Sequence, residues 1–285
     1  MIATPNQTHF PLAKLCLESG RDVVVDKPFT TSIGEALKLF HTAREHGRLV
    51  TAYHNRRFDA DFQALREVLK QGTLGRVVRF ESHYDRFRPT PKSGAWRETP
   101  GPGSGVLFDL GPHLIDHALT LFGSPEEVSA DVRIERTGMA TDDAFDLTFY
   151  YRDSLRAKLQ ATMLCATPRP RFLVLGEQGT FVKQSFDPLE NQLRLGQVPQ
   201  GDSWVLEKAE NWGQLTVIEE GKDVVWKVPS EGDWRQFYLN VRDAILGKEE
   251  LLVTPQQILN VMVGLELAQE SNAQRRTLPW RTVKP

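Results

Sequence analysis

The sequence predicts an α/β unit followed by a larger α+β unit, and three observations carry that expectation. Up to about residue 71, short apolar runs alternate with helix-length amphipathic stretches, the pattern of βαβ units around a parallel sheet. Beyond Gly75 the texture changes to period-two alternation in a series of strand candidates, as in an antiparallel sheet. Two further helical stretches close the chain. The boundary falls between residues 74 and 75, giving units 1–74 and 75–285, with the last helix a candidate to return to the first unit.

Taken in order, Ile2-Ala3 read as the end of a buried strand, Thr4-Pro5-Asn6 as a loop, and Thr8 to Ser19 as a helix. "RDVVVDKP" is a buried strand and a loop. "TSIGEALKLFHTAREHG" is a helix with Ile33, Ala36, Leu37 and Phe40 at helical spacing and Gly47 as its stop. "LVTAYH" and "DADFQALREVLKQG" repeat the strand–helix step. In the second unit "RVVRFESHYDRF" reads as an antiparallel strand, with Val78, Phe80 and Tyr84 on one face. Arg79, Glu81, His83 and Asp85 would lie on the other, wet face. Strand candidates follow near 128–136, 144–151, 155–163 and 172–175, and "GEQGTF" reads as a turn into another. "DWRQFYLNVRDAILG" and "TPQQILNVMVGLELAQES" are helices. Pro89 to Gly105 is a Gly/Pro-rich loop long enough to be functional.

Composition removes several classes of function. A formal charge of −2 leaves no basic footprint for nucleic acid. No apolar run approaches the ~20 residues of a membrane span. The first residues lack the basic and apolar regions of a secretory leader, which points to the cytoplasm. Cys16 and Cys165, far apart and in apolar surroundings, are expected to be buried and reduced.

Chemistry is concentrated in three stretches. Lys27 stands just past a parallel strand, where ligands of open α/β sheets bind, and Pro28 holds its backbone extended. It reads either as an acid/base lysine or as an ordinary surface lysine after a strand. In "LFDLGPHLIDHAL", Gly111 and Pro112 suit a helix start, which puts His113 in the first turn, where the dipole favours a neutral imidazole. Asp109, just before, would orient His113, and Asp116 lies three residues on at same-face spacing. A histidine bonded to a loop carbonyl is the alternative. His113 and His117 also match the i, i+4 spacing of zinc helices, but no third ligand has a recognisable spacing. No metal is therefore expected. "TAYHNRRF" brings His54, Asn55 and Arg56 to the same sheet edge as Lys27, suited to a polyhydroxylated or phosphate-bearing ligand or simply to capping the next helix.

"IATPNQTHFPLA", "VVVDKPF", "HNRRFDADF" and "GVLFDLGPHLIDHAL" stand in the order and spacing of the Gfo/Idh/MocA family of NAD(P)-dependent oxidoreductases, which the chain resembles from Met1 to about Ala273. The resemblance implies that residues 1–74 are the C-terminal part of a Rossmann-type domain binding NAD or NADP. It implies that residues 75–285 carry a large, mostly antiparallel open sheet with flanking helices. The outer face of that sheet would join a homo-oligomer, a dimer or tetramer. The implied reaction is hydride transfer between the nicotinamide and a carbinol or carbonyl carbon of a sugar, polyol or related molecule.

Lys27 corresponds to the lysine of the family's E-K-P motif, with Asp26 in place of the more frequent glutamate, and Asp109 and His113 to its D-x-x-x-H pair. His113 would be the acid/base and Lys27 the hydrogen-bond donor to the reacting oxygen; the swapped assignment stays open. Thr4, Pro5, Asn6 and His9 would form the loop beside the cofactor, with Asp26, Lys27, Asn55 and Arg56 also on the cofactor side. Trp96, Arg97, His83, Arg86 and Asp116 are the substrate-side candidates.

The family's G-x-G-x-x-G turn does not occur in the sequence, and "GPGSG" at 101–105 follows no buried strand. The resemblance thus implies two further βα units, roughly 60–80 residues, ahead of Ile2. A start placed too late, a fragment, and a truncation with a new role are the alternatives; the first is favoured because the catalytic residues are retained. A non-catalytic sugar-binding or scaffold protein that has lost the fingerprint is the rival reading.

Overall fold

The computed structural model describes residues 1–92, 94–201, 204 and 206–285. In the first unit α1 (His9–Glu18), β1 (Val23–Val25), α2 (Ile33–Glu45), β2 (Val50–Ala52) and α3 (Ala60–Gln71) follow the alternation expected from the sequence. β1 and β2 are parallel, with Val24 opposite Thr51, and Ile2 bridges in parallel to Val25 on the other edge of β1. The strand cores show no polar alternation because helices cover both faces, and Val25 and Ala52 are fully buried. Ser32 starts α2 by accepting the Glu35 N–H, while the Glu35 carboxylate reaches back to the Thr31 N–H and hydroxyl. The stripe α2 buries is Ala36, Leu39, Phe40 and Ala43; Ile33 and Leu37, expected within it, lie at its margin.

The second unit is built on β3 (Val77–Asp85), β4 (Glu127–Arg133), β5 (Ala144–Tyr150), β6 (Arg156–Thr162), β7 (Phe172–Gly176), β8 (Gly179–Lys183), β9 (Gly213–Glu219), β10 (Lys222–Val228) and β11 (Leu278–Pro279). Among the described residues these form one nine-stranded sheet in the order β10-β9-β8-β7-β3-β6-β5-β4-β11. α4 (Val106–Phe122) and α7 (Pro255–Gln274) cover one face, with the short α5 (Leu189–Arg194) and α6 (Arg235–Ile245) at the periphery. Phe80, Phe145, Phe149 and Phe172 are buried beneath those helices, each such side chain contributing about 1.5–3 kcal/mol. α4 and α7 cross closely because two glycines face the contact. A Cβ on Gly264 would lie 2.8 Å from Ile115 Cγ2, and one on Gly111 would lie 3.3 Å from Leu265 Cδ2.

α7 also packs on α2 and β2, and Glu266 Oε1 accepts the Ile33 N–H at 2.8 Å. Its start is a capping box in which the Thr254 hydroxyl and the Gln257 side chain each satisfy the other residue's backbone N–H.

Several expectations are corrected. β3 is a central strand, antiparallel to β7 but parallel to β6, and its second face is wet only at the start, where Arg79 is exposed, while His83 and Asp85 are buried. The chain at 169–171 crosses that face: Asp85 holds Arg169 through two bonds of 2.8 and 2.7 Å, and His83 Nδ1 lies 2.7 Å from Pro170 O. α4 starts more than a turn before Gly111, so Gly111 is a packing residue rather than a cap, Pro112 is interior, and Asp109 belongs to the first turn. The cap is supplied from outside: Asp142 Oδ2 accepts the Leu107 N–H at 2.7 Å and Asp142 O accepts the Val106 N–H at 2.9 Å. Gly105, at φ +87°, is required there, since a Cβ would fall 1.9 Å from Asp142 Oδ1. Cys16 and Cys165 are free but half-buried rather than fully enclosed. β9, β10 and α5 lie in a stretch where no elements were expected; β10 buries almost nothing and leaves no hydrophobic pattern.

Candidate active site

The parallel strands end on one side of a cleft of about 720 Å³, and α4, β3 and the loop 89–105 form the other. β1 ends at Val25, so Asp26 and Lys27 enter the cleft wall, the Lys27 N–H being held by Asp26 Oδ1 at 2.8 Å. β2 ends at Ala52, and Tyr53, Asn55 and Arg56 emerge beside them. This is the carboxyl edge at which open α/β sheets bind ligands.

Lys27 Nζ reaches across to α4, donating to Asp109 O and lying 3.1 Å from Asp109 Oδ1. The same carboxylate receives Arg97 Nε at 3.1 Å and lies 3.6 Å from an Arg86 nitrogen. Burial pushes the Asp109 carboxyl up, but Lys27, Arg86 and Arg97 together outweigh it and hold it at about 2. It is therefore an anion at any working pH, collecting three cations.

His113 lies one turn further along α4 and lines the cleft. It is inside the helix, so the expected dipole tuning does not apply; burial, then the charges of Lys27 and Arg56, lower its pKa well below the ordinary histidine range. The imidazole is neutral. Its Nδ1 is buried without a hydrogen-bond partner among the described residues. His117, one turn later, differs: Arg171 donates to Nδ1 at 3.3 Å, leaving Nε2–H to donate to Arg56 O at 3.1 Å, and the ring stacks on Phe62 at 4.1 Å. Both its nitrogens are committed to the protein. Among the described residues no group of three His, Cys, Asp or Glu side chains is placed to hold a metal.

The remaining candidates divide. Arg86, Trp96 and Arg97 line the cleft with Asp26, Asn55 and Arg56. Thr4, Pro5, Asn6 and His9 stand behind the wall. His9, fully buried, has Nδ1 2.8 Å from Pro28 O and Nε2 3.0 Å from Thr4 O, while Asn6 Nδ2 donates to Gly103 O at 2.7 Å. Together they fasten the Lys27 loop and the loop 89–105 to the opening segment. His83 and Asp116, expected on the substrate side, are not in the cleft: His83 is spent on Pro170 and Gln160. Asp116 grips Arg57 at 2.8 and 2.6 Å, and Arg57 also holds Leu252 O and Gln257 Oε1, both at 3.0 Å.

Tyr84, Arg88, Arg136, Asp142, Glu190 and Trp234, none of them among the site candidates, also line the cleft. Alternation in "YDRFR" was a signal for Tyr84 and Arg88; the others arrive from distant segments and carried none. Arg56, nearly buried, pairs with Asp59 at 3.0 Å and with Glu190, and lies over the rings of Tyr84 and Trp234.

Comparison with known proteins agrees with this geometry. Residues 1–54 match the family model described as an oxidoreductase family with an NAD-binding Rossmann fold, and residues 62–182 match the GFO/IDH/MocA C-terminal domain. The chain is 43% identical to the uncharacterized oxidoreductase YdgJ of Escherichia coli, over 98% of this chain and 80% of that protein. It is 34% identical to the scyllo-inositol 2-dehydrogenase (NADP(+)) IolW of Bacillus subtilis, over 98% of this chain and 77% of that one. A crystal structure of an oxidoreductase from Bacillus cereus superposes with a TM-score of 0.88 at 31% identity, covering 100% of this chain and 80% of the other. Fold, cleft and relatives define a nicotinamide-dinucleotide-dependent oxidoreductase. The chain belongs to the Gfo/Idh/MocA family.

Proposed function

We propose that the chain transfers a hydride between a nicotinamide cofactor and a carbinol or carbonyl carbon of a sugar, polyol or related small molecule. The observation that carries this reading is the meeting of Lys27, Asp109 and His113 at the carboxyl edge of the parallel strands. A bound nicotinamide dinucleotide supplies the hydride acceptor or donor. Its nicotinamide end fits the residues present: the cleft has space at the strand ends, and His113, one of its lining residues, keeps a buried Nδ1 with no hydrogen-bond partner among the described residues. Asp26, Lys27, Asn55 and Arg56 would hold that end, with Thr4, Pro5, Asn6 and His9 shaping the loop behind them.

Alcohol oxidation needs a base for the hydroxyl proton as hydride leaves. His113, neutral in the free protein, takes that proton at its imidazole. Lys27 Nζ, turned toward α4 by Asp109, donates to the reacting oxygen. In reduction the same groups return the proton. Exchanging the roles of Lys27 and His113 is the second assignment. Arg86, Trp96 and Arg97 contact the substrate in either case. Similarity to a scyllo-inositol dehydrogenase supports a polyhydroxylated substrate. We also place the protein in the cytoplasm as a dimer or tetramer joined through the open face of the large sheet; among the described residues no helix is long and apolar enough to cross a membrane.

The test is titration of the chain with NADH and NADPH, followed by quenching of tryptophan fluorescence, since Trp96 and Trp234 line the cleft. Saturable binding, turnover with a polyol panel, and loss of turnover without loss of binding in His113→Ala are expected. Sugar binding with no response to either dinucleotide would favour the non-catalytic reading.

A further inference from the structure

Beyond Asp85 the chain stays extended, with the Arg86 N–H bonded to Thr162 O at 3.0 Å and the Arg88 N–H to Met163 O at 2.8 Å. Alternation along an extended segment sends Tyr84, Arg86 and Arg88 to one side, and all three line the cleft. Phe87 points the other way and is 58% exposed.

The charges around the cleft do not balance. Lys27, Arg86 and Arg97 share the single carboxylate of Asp109. Arg194 of α5 shares Glu190 with Arg56, and Arg136 is held by Glu98 and Asp143. Arg88 has no carboxylate partner among the described residues, and neither has Lys92 at the rim. A neutral polyol leaves that excess unanswered, and Arg88 and Lys92 are not among Asp26, Lys27, Asn55 and Arg56, the residues assigned to the nicotinamide end of the cofactor.

We propose that the substrate carries an oxyanion, a carboxylate or a phosphate, and that Arg88, with Arg86 and Arg194 beside it, receives this group while the carbinol lies at Lys27 and His113. The inference rests on the oxidoreductase reading and specifies its substrate class. Guanidinium groups bind such oxyanions through paired, charge-assisted hydrogen bonds. Arg86 is stiffened for the task by lying over the Tyr84 ring at 5.0 Å. Partial burial, then repulsion from Arg86 and Arg194, lowers the Arg88 pKa and outweighs the opposing pull of Asp109.

The test is calorimetric titration of the full chain, at fixed ionic strength, with D-gluconate, D-glucose 6-phosphate and neutral D-glucose, repeated on Arg88→Gln and Arg88→Lys. At least one anionic probe is expected to bind tenfold or more tightly than glucose. A preference for gluconate identifies a carboxylate, and one for the phosphate ester a phosphate. Arg88→Gln abolishes the difference, and Arg88→Lys restores part of it. Equal affinity for all three probes, failure of both anions to bind, or an unchanged preference in Arg88→Gln overturns the inference. Nicotinamide-linked turnover separates it from the parent reading: turnover of neutral polyols without an anion preference defeats only the oxyanion subsite. Anion binding lost in Arg88→Gln, with no turnover of any probe, defeats only the reaction.

Discussion

Lys27 and Asp109 stand 82 positions apart in sequence and meet with Nζ 3.1 Å from Oδ1, a lysine after a parallel strand against a carboxylate in the first turn of a helix from the other unit. The carboxylate presents the lysine to the cleft, and the two form one device. In the holoenzyme, Asp109→Asn and Lys27→Met should each lower kcat substantially, while the double variant falls far short of the product of the single losses. Residues in direct contact couple by roughly 0.5–3 kcal/mol. Steady-state kinetics on the four proteins measures that coupling, and simple additivity would remove Asp109 from its positioning role.

His113→Ala should reduce kcat by about 10²- to 10⁴-fold, the usual contribution of a general acid/base. KM should change little. A comparable loss in His117→Ala with unchanged stability would be unexpected, since both His117 nitrogens are used within the protein.

Arg57→Ala leaves Asp116 buried and unpaired, at a cost of about 3–5 kcal/mol by urea unfolding. Arg57→Lys should recover little, because a single ammonium cannot reproduce two parallel bonds to Asp116 and two more to Leu252 and Gln257.

The pH dependence of stability has a separable component at the α4 cap. Burial raises the Asp142 carboxyl from its ordinary 3.8 to about 6, against the bond it accepts from the Leu107 N–H and the nearby backbone N–H groups of Asp142 and Val106. Between those values the folded protein holds a proton that the unfolded chain has released. Its contribution is complete below pH 3.8 and is lost as pH rises through 6, by something on the order of 3 kcal/mol. The buried neutral His54, His113 and His117 act oppositely: below about pH 6.5 the unfolded chain binds protons they do not, and stability falls with acid. Wild-type minus Asp142→Asn stability, followed by thermal unfolding from pH 4 to 7, isolates the carboxyl, and a flat difference would refute its raised pKa.

Local pattern made much of this fold legible. Period 3.6 in α2 and α3, period 2 in β5 and β6, and the punctuation at Gly47 and Gly72 marked elements whose boundaries the structure nearly reproduces. α4 was placed too late because Gly111 and Pro112 imitate a helix start. Its true start depends on Asp142, more than thirty residues away and silent in any local window. His83 misled for a similar reason: alternation assigned it a face, but the chain at 169–171, which covers that face, is visible only in three dimensions. The catalytic candidates were legible because each stands at the end of a readable strand or on one readable helix. Glu190 and Arg194, on a segment lacking strong periodicity, were not, and Trp234 was legible only as the start of a helix whose distance from the cleft no local pattern reveals.

α7 binds the two units into one body. Its residues pack on α2 and β2 of the first unit and on α4 and β4 of the second, and Glu266 and Gln257 reach backbone or side-chain partners across that boundary. Modular exchange at residue 75 would sever these contacts, even though the sequence changes texture there. A chimera that borrows a relative's large sheet must also import residues 255–274, or rebuild the surface that α2 presents to them. Natural recombination would meet the same restriction, because the contacts of α7 with α2 and β2 do not divide at the change of texture.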